Sequence, residues 1–387
     1  MNKWEMKPLG QLCLIERGGS PRPIDKYITD SPDGINWIKI GDTTESMYIT
    51  NTKEKIIPEG MKKSRYVQRG DFLLSNSMSF GRPYILDIDG CIHDGWLVIR
   101  DTSNLFDKRF LYYFLGSPNT YQKFKSMAVG GVVNNLNIDM VKKVEVPVLS
   151  MSEQKEIADS LDKVTALISS RKAQLEKLDL LVKSRFIEMF GDTVLNPYNW
   201  NKEPLGKVCD VRDGTHDSPK YYDTGYPLVT SKNLSSGDID FTDCSLICKN
   251  DFDKINERSK VDFGDILMPM IGTVGNPVIV KIKNDFAIKN VALIKFYNDT
   301  RVTNVYVQAL LKSDYFDSEV LGKVRGGTQK FISLGDIRKL EILVPPIDLQ
   351  NQFAEFVEQT DKLKFEIKEA LEKLETLKKS LMQQYFG

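Results

Sequence analysis

Histidine is almost absent from this chain of 387 residues. His93 and His216 are the whole complement, too few for a His-rich metal centre or a proton relay. Cysteine is scarce and odd in number, at five. Cys244 and Cys248 are close enough to share a metal but have no second pair, so neither zinc nor a disulfide framework is expected. Cys13 and Cys209 read as small buried hydrophobes. An excess of charge is also missing: 53 basic residues stand against 53 acidic ones, so no global field argues for a polyanion or a membrane, and any basic patch must be local. No run approaches membrane-spanning length, and the start, MNKWEMKPLG, lacks the apolar core of a signal peptide; a reducing cytoplasm is the expected location. Catalytic signatures are missing too. There is no GxxxxGK[ST] phosphate loop, and no GxGxxG follows a strand. The Asn/Asp-Pro-Pro-aromatic tetrad of adenine methyltransferases falls one proline short at Asn196-Pro197-Tyr198-Asn199.

What the chain does have is a long amphipathic stretch, and it has it twice. From Ser152 to Gly191 apolar residues recur at alternating steps of four and three: Ile157, Leu161, Val164, Ile168, Leu175, Leu178 and Val182, then Met189. This is the a/d seam of a coiled-coil helix, interrupted at Arg171 and Arg185, and it predicts a rod of roughly 55–60 Å. Adding 196 gives a second seam at Phe353, Val357, Ile367, Leu371, Leu374 and Leu381, interrupted at Lys364 and Lys378. The faults of one seam fall opposite apolar slots of the other, which predicts an antiparallel pair within one chain. Ser152 and Asp348 are the expected caps.

The repeat extends beyond the rods. Trp4, Pro8, Leu9, Gly10 and Cys13 return 196 residues later as Trp200, Pro204, Leu205, Gly206 and Cys209. Gly70-Asp71, Gly81 and Pro83 return 194 later as Gly264-Asp265, Gly275 and Pro277. The 196 spacing then resumes at Gly130-Gly131 and Gln154, matching Gly326-Gly327 and Gln350. A period this long marks a duplicated domain. Each copy begins with about 150 residues of short β-rich runs such as WLVIRD and VALIKF, plus one helical stretch, Lys108–Phe124 or Asn304–Val320. The expected division is 1–151 and 192–347 for the globular domains, with 152–191 and 348–387 for the rods.

Three loop pairs gather glycine with polar and basic residues. The first runs from Arg17 to Arg22, matched by 212–219; the second from Ser75 to Arg82, matched by 268–276; the third from Gly130 to Asn135, matched by 326–330. Glycine admits close approach of backbone N–H groups to phosphate, and Asn, Gln, Arg and Thr carry donors and acceptors suited to base edges. Turns use the same residues, but here the loops are where the two copies diverge most. The candidates for DNA contact are Arg22, Asn76, Arg82 and Asn134 in the first copy, and Thr215, Lys232, Asn276, Gln329 and Lys330 in the second. The run from Lys53 to Arg69, six basic against two acidic residues, suits either a phosphate contact or a solvated face. A coiled-coil adaptor without DNA contact and a self-contained DNA-modifying enzyme remain alternatives.

The ordered set in duplicate resembles the specificity subunit of a Type I restriction–modification system: Trp-x-x-x-Pro-Leu-Gly, then Gly-Asp-[Phe/Ile]-Leu, Gly-x-Pro, a Gly-Gly loop and a long helix. The resemblance covers essentially the whole chain. It implies an α+β fold in which two mixed, mainly β target recognition domains are separated by two long antiparallel coiled-coil helices with pseudo-two-fold symmetry. It also implies a non-catalytic subunit that reads double-stranded DNA at a bipartite, asymmetric site and sets its spacing. Its expected partners are two methyltransferase (modification) subunits and restriction/translocase subunits, with S-adenosylmethionine, ATP and Mg carried by those partners and no cofactor in this chain. With no net charge, the chain alone is expected to bind DNA weakly and with strong salt dependence.

Overall fold

A computed structural model describes residues 4–77, 80–128, 135–234, 237–271, 275–297, 301–320 and 331–387. The chain divides into two units, Met1–Arg171 with Ala370–Gly387, and Lys172–Glu369. The long helices Met151–Phe190 and Ile347–Phe386 therefore each contribute to both units. The architecture is α+β, a tandem repeat of mixed sheets and long helices.

In the first unit an antiparallel sheet is ordered Leu14–Arg17, Trp96–Arg100, Phe72–Ser75, Pro83–Leu86, with the short strand Tyr48–Ile49 added in parallel at its edge. Trp96 to Ile99 are buried on both faces, which is why this segment reads as a continuous apolar run rather than an alternating one. A second, mixed sheet is ordered Ile28–Thr29, Glu54–Ile56, Ile35–Ile38, Gly90–Ile92, Arg65–Val67. A two-stranded ribbon, Glu5–Pro8 against Glu145–Val148, ties the start of the unit to the segment entering the long helix.

The second unit rebuilds this plan with fewer strands among the described residues. One sheet is ordered Asp210–Asp213, Val291–Lys295, Ile266–Pro269, Val278–Ile279 and the other Ser245–Ile247, Tyr226–Val229, Ala287–Ile288. The closing ribbon, Asn201–Pro204 against Glu341–Val344, keeps the register of the first. The repeated Gly-Asp pairs serve the same purpose in both units. Gly70 and Gly264 have φ of 87° and 91°, a left-handed turn that favours glycine. The following Asp71 and Asp265 accept from the backbone N–H of Gln68 and Asp262 and pair with Arg100 and Lys295.

Each predicted helical stretch between sheet and rod is broken in two. Lys108–Leu115 and Pro118–Ala128 flank Gly116 and Ser117, because Pro118 cannot donate the hydrogen bond needed to continue the first helix and instead starts the second. The counterpart is Asn304–Leu311 and Asp314–Val320. The cap of the first long helix is also a correction. Ser150 fills the role, not Ser152: its Oγ accepts from the Glu153 amide at 3.3 Å while Glu153 Oε2 accepts from the Ser150 amide at 3.0 Å, a capping box. The second long helix follows Pro345-Pro346 directly and starts at Ile347, ahead of Asp348.

Within each unit, the start of one long helix shares a core with the end of the other, which is the antiparallel arrangement. In the first unit Ile157, Ala158, Leu161 and Phe386 lie in one core with Phe110 and Phe114, and Leu381 packs against it. In the second, Phe186 and Phe190 each lie 5.5 Å from the Phe353 ring, Val182 and Val357 pack alongside, and Lys364 pairs with Asp179 at 2.7 Å. Of the remaining seam positions, Val164 and Ile168 are buried, and Leu175, Leu178, Ile367, Leu371 and Leu374 are half-buried. Cys13 and Cys209 sit in the two cores, where burial pushes both thiols up to about 12. That makes them poor nucleophiles at neutral pH.

Candidate nucleic-acid interface

The first loop of each unit leaves its sheet in the same way. Gly18 donates its backbone N–H to the Trp96 carbonyl and Gly19 to that of Ile92. In the second unit Gly214 donates to Val291 and Thr215 to Ile288. A Cβ on Gly18 would lie 2.1 Å from the His93 carbonyl oxygen, and one on Gly214 would lie 2.2 Å from that of Ile288. Only glycine permits this close crossing of two backbones. The loop is thereby pressed against the turn joining Ile92 to Trp96, and in the second unit against a turn one residue shorter, joining Ile288 to Val291.

On that shared frame the polar side chains differ. In the first unit they converge on Asp94. Ser20 Oγ donates to Asp94 Oδ1 at 2.7 Å, and Arg22 Nη2 to Asp94 Oδ2 at 3.4 Å. Arg17 Nε and Asn76 Nδ2 both donate to the Asp94 carbonyl at 3.0 Å. The Ser20 hydroxyl is the main reason the Asp94 carboxyl lies below the usual carboxylate range. Beside it, His93 is displaced below its ordinary value by burial, and its Nδ1 accepts the Gly95 amide at 2.6 Å.

In the second unit the same place is built around His216. Its Nε2 lies 2.9 Å from Asp213 Oδ2 and its Nδ1 2.8 Å from Asn290 Oδ1. Arg258 Nη2 donates to Asp213 Oδ1 at 2.8 Å and to the Gly214 carbonyl at 3.2 Å, and Lys289 Nζ donates to Ser218 Oγ at 2.5 Å. At the positions of Ser20, Arg22 and Asp94 the second unit thus carries His216, Ser218 and Asn290.

The sequence candidates fall unevenly on this surface. Arg22 has a side chain 81% exposed and belongs to the first cluster. Arg82 is exposed and lines a cavity of about 550 Å³ with Phe80, Tyr112 and Tyr121. Asn76 is a correction: its residue is 1% exposed, its Nδ2 is spent on Asp94, and its carbonyl accepts the Leu136 amide, so it supports the loops from below. Thr215 Oγ1 accepts the Asp217 amide at 3.1 Å, closing its own turn. Asn276 has φ of 58° and donates Nδ2 to the Leu234 carbonyl at 3.1 Å. Lys232 is exposed on the short helix Ser231–Leu234. Asn134, Gln329 and Lys330 lie outside the described residues. The backbone just after them is held alike in both units: Leu136 donates to Asn76, and Ile332 to Met270.

The basic run 53–69 is largely engaged within its own unit. Arg65 pairs with Glu16 at 2.9 Å, Arg69 with Asp87 at 3.3 Å, and Lys55 and Lys63 donate to the Pro32 carbonyl and the Tyr27 hydroxyl. Sequence reasoning missed Asp94, Asp213, Arg258 and Asn290. The signal available for two of them was position: Asp94 and Asn290 stand in the turns that feed the two matched β-runs.

The chain matches the family model for the Type I restriction modification DNA specificity domain twice, over residues 1–179 and 197–379. It is 23% identical over 419 residues to the Type I restriction enzyme EcoKI specificity subunit of Escherichia coli (strain K12), covering 99% of this chain and 88% of that protein. It is 22% identical over 399 residues to the MjaVIII specificity subunit of Methanocaldococcus jannaschii, covering 98% and 91%. Among solved structures, a chain from a study of type I R-M complex assembly and conformational transition superposes with a TM-score of 0.61 at 17% identity, covering 100% of this chain and 98% of that one. The type I S subunit from M. genitalium superposes with a TM-score of 0.58 at 16% identity, covering 100% and 97%.

Proposed function

The chain belongs to the Type I restriction modification DNA specificity family, and from that premise we propose that each of its units reads one half of an asymmetric, bipartite site in double-stranded DNA. The observation that carries this reading is the pairing of a common backbone frame, Gly18 with Ile92 and Trp96 and Gly214 with Ile288 and Val291, with unlike polar groups mounted on it. A duplicated scaffold needs one frame to present loops to a duplex, and different side chains to prefer different base edges.

The long helices have the length and stiffness of a spacer, about 60 Å each for 40 residues, so the half-sites fall at a fixed separation. In this reading the chain is the non-catalytic member of a larger assembly. Two methyltransferase subunits supply S-adenosylmethionine and take the target adenine out of the stack, and restriction/translocase subunits supply ATP-dependent cleavage. Charge balance fits a chain that depends on its partners for tight binding.

The test is to map methylated adenines in a genome expressing this chain with its methyltransferase. The expected result is a single motif of two specified blocks separated by a constant number of unspecified base pairs. A continuous motif, or two blocks at variable spacing, would contradict the reading.

A further inference from the structure

The first unit carries a specific base-reading device. We propose that Arg22, positioned by Asp94, reads a guanine in the half-site of the first unit, and that the second unit reads a different base at the corresponding place. This rests on the DNA-reading role argued above.

Three observations point to it. Arg22 stands between Pro21 and Pro23, whose rings fix their own φ and narrow the backbone freedom of the residue before each. Its side chain is 81% exposed, and among the described residues its one polar partner is Asp94, through Nη2 alone at 3.4 Å. That contact uses one of the two Nη2 hydrogens, so the other remains to form a planar fork with a neighbouring guanidinium N–H, the geometry that pairs bidentately with guanine O6 and N7.

Asp94 is itself held in place. Ser20 fixes its carboxylate at 2.7 Å, Arg17 and Asn76 fix its carbonyl at 3.0 Å, and its amide donates back to Ser20 Oγ at 3.3 Å. A carboxylate so fixed sets the aim of the arginine and lowers the entropy lost when the fork docks. In the second unit the residue at the position of Arg22 is Ser218, which accepts from Lys289. The arginine of that cluster, Arg258, stands on a different element and donates to Asp213 and the Gly214 carbonyl, so the two half-sites differ there.

The experiment uses the complex with the methyltransferase subunits. Methylated adenines are mapped for the wild type, Arg22→Lys, Asp94→Asn and the double variant, and single-turnover methylation is measured on duplexes altered at one base pair. Lysine keeps the charge but loses the fork, so Arg22→Lys is expected to reduce the preference for guanine at one position of one half-site by about 5- to 150-fold. Asp94→Asn relaxes the same position by a smaller factor, and the double variant is no worse than Arg22→Lys, the mark of two residues acting through one contact. The other half-site and the spacing stay unchanged, which also shows that the variants fold. A wild-type bipartite motif that Arg22→Lys leaves intact, or that loses a base other than guanine, overturns this proposal alone. A wild type that yields no bipartite motif overturns the reading on which it rests.

Discussion

The side-chain oxygen of Gln154 accepts a hydrogen bond from the Asp107 amide at 2.9 Å, while its Nε2 donates to the carbonyls of Leu105 and Leu149 at 2.8 and 3.1 Å. Gln350 does the same in the second unit: its Oε1 accepts from Thr303, and its Nε2 donates to Arg301 and Pro345. Each glutamine is buried, at 1% and 0% exposure, and joins the first turn of a long helix to the residue that caps the helix after the central sheet. This clamp ties the start of each rod to the segment that enters the preceding helix.

Removing either clamp leaves buried backbone groups without partners, a loss of about 2–3 kcal/mol. Gln154→Ala and Gln350→Ala are each expected to lower the melting temperature of the affected unit by roughly 4–12 °C. Differential scanning calorimetry checks this; a shift under about 1 °C would rule out the clamp as a structural element.

The seam between the helices should be unequal along its length. Phe353 is fully buried between Phe186 and Phe190, so Phe353→Ala should cost about 3–5 kcal/mol. Lys364 is paired with Asp179, whose side chain is 66% exposed. Lys364→Ile should therefore change stability by less than about 1 kcal/mol. Urea unfolding of the two variants gives the comparison, and equal losses would contradict it.

His93 predicts a pH dependence confined to the first unit. Burial lowers its folded pKa, and protonating Nδ1 would break its bond to the Gly95 amide. The unfolded chain therefore binds the proton more readily than the folded one. The stability held by neutral His93 is complete above the ordinary histidine value and is lost as pH falls below about 6.5. Unfolding followed between pH 7.5 and 5 should show the first unit weakening, and His93→Gln should flatten that slope. A wild-type slope unchanged by the substitution would exclude His93 as its source.

Gly18 and Gly214 give a paired prediction. A methyl group at either would press on a backbone carbonyl that cannot swing aside, at a cost of about 1–3 kcal/mol. Gly18→Ala should impair only the half-site read by the first unit, and Gly214→Ala only the other. Methylation of duplexes altered in one half-site measures this, and loss of both half-sites from one substitution would count against separate reading units.

Much of this organisation was legible in the residues. The repeat is carried by positions that meet backbone constraints, as at Gly70-Asp71 and Gly264-Asp265, and by the apolar seams, so it survives where surfaces diverge. The break after Leu115 was visible only in part: Pro118 announces it, but the second unit breaks at the same place without a proline. Gln154 stood out as a repeat anchor, yet its purpose needed the three backbone groups it satisfies, contributed by Leu105, Asp107 and Leu149. Asp94 was hidden for a different reason. A single aspartate in a turn carries no pattern, and its meaning comes from Ser20, Arg22 and Asn76, which lie 74, 72 and 18 residues away in sequence. Asn76 shows the converse, since a polar loop residue resembled a reading group until its burial was known.

The central claim is that each unit reads its own half of one DNA site. The most direct measurement maps methylated adenines for the wild type and for His216→Ala/Asn290→Ala, each expressed with the methyltransferase. The predicted result is a motif whose one half and spacer are unchanged while the other half becomes degenerate. Degeneracy in both halves, or an altered spacer, would contradict the account.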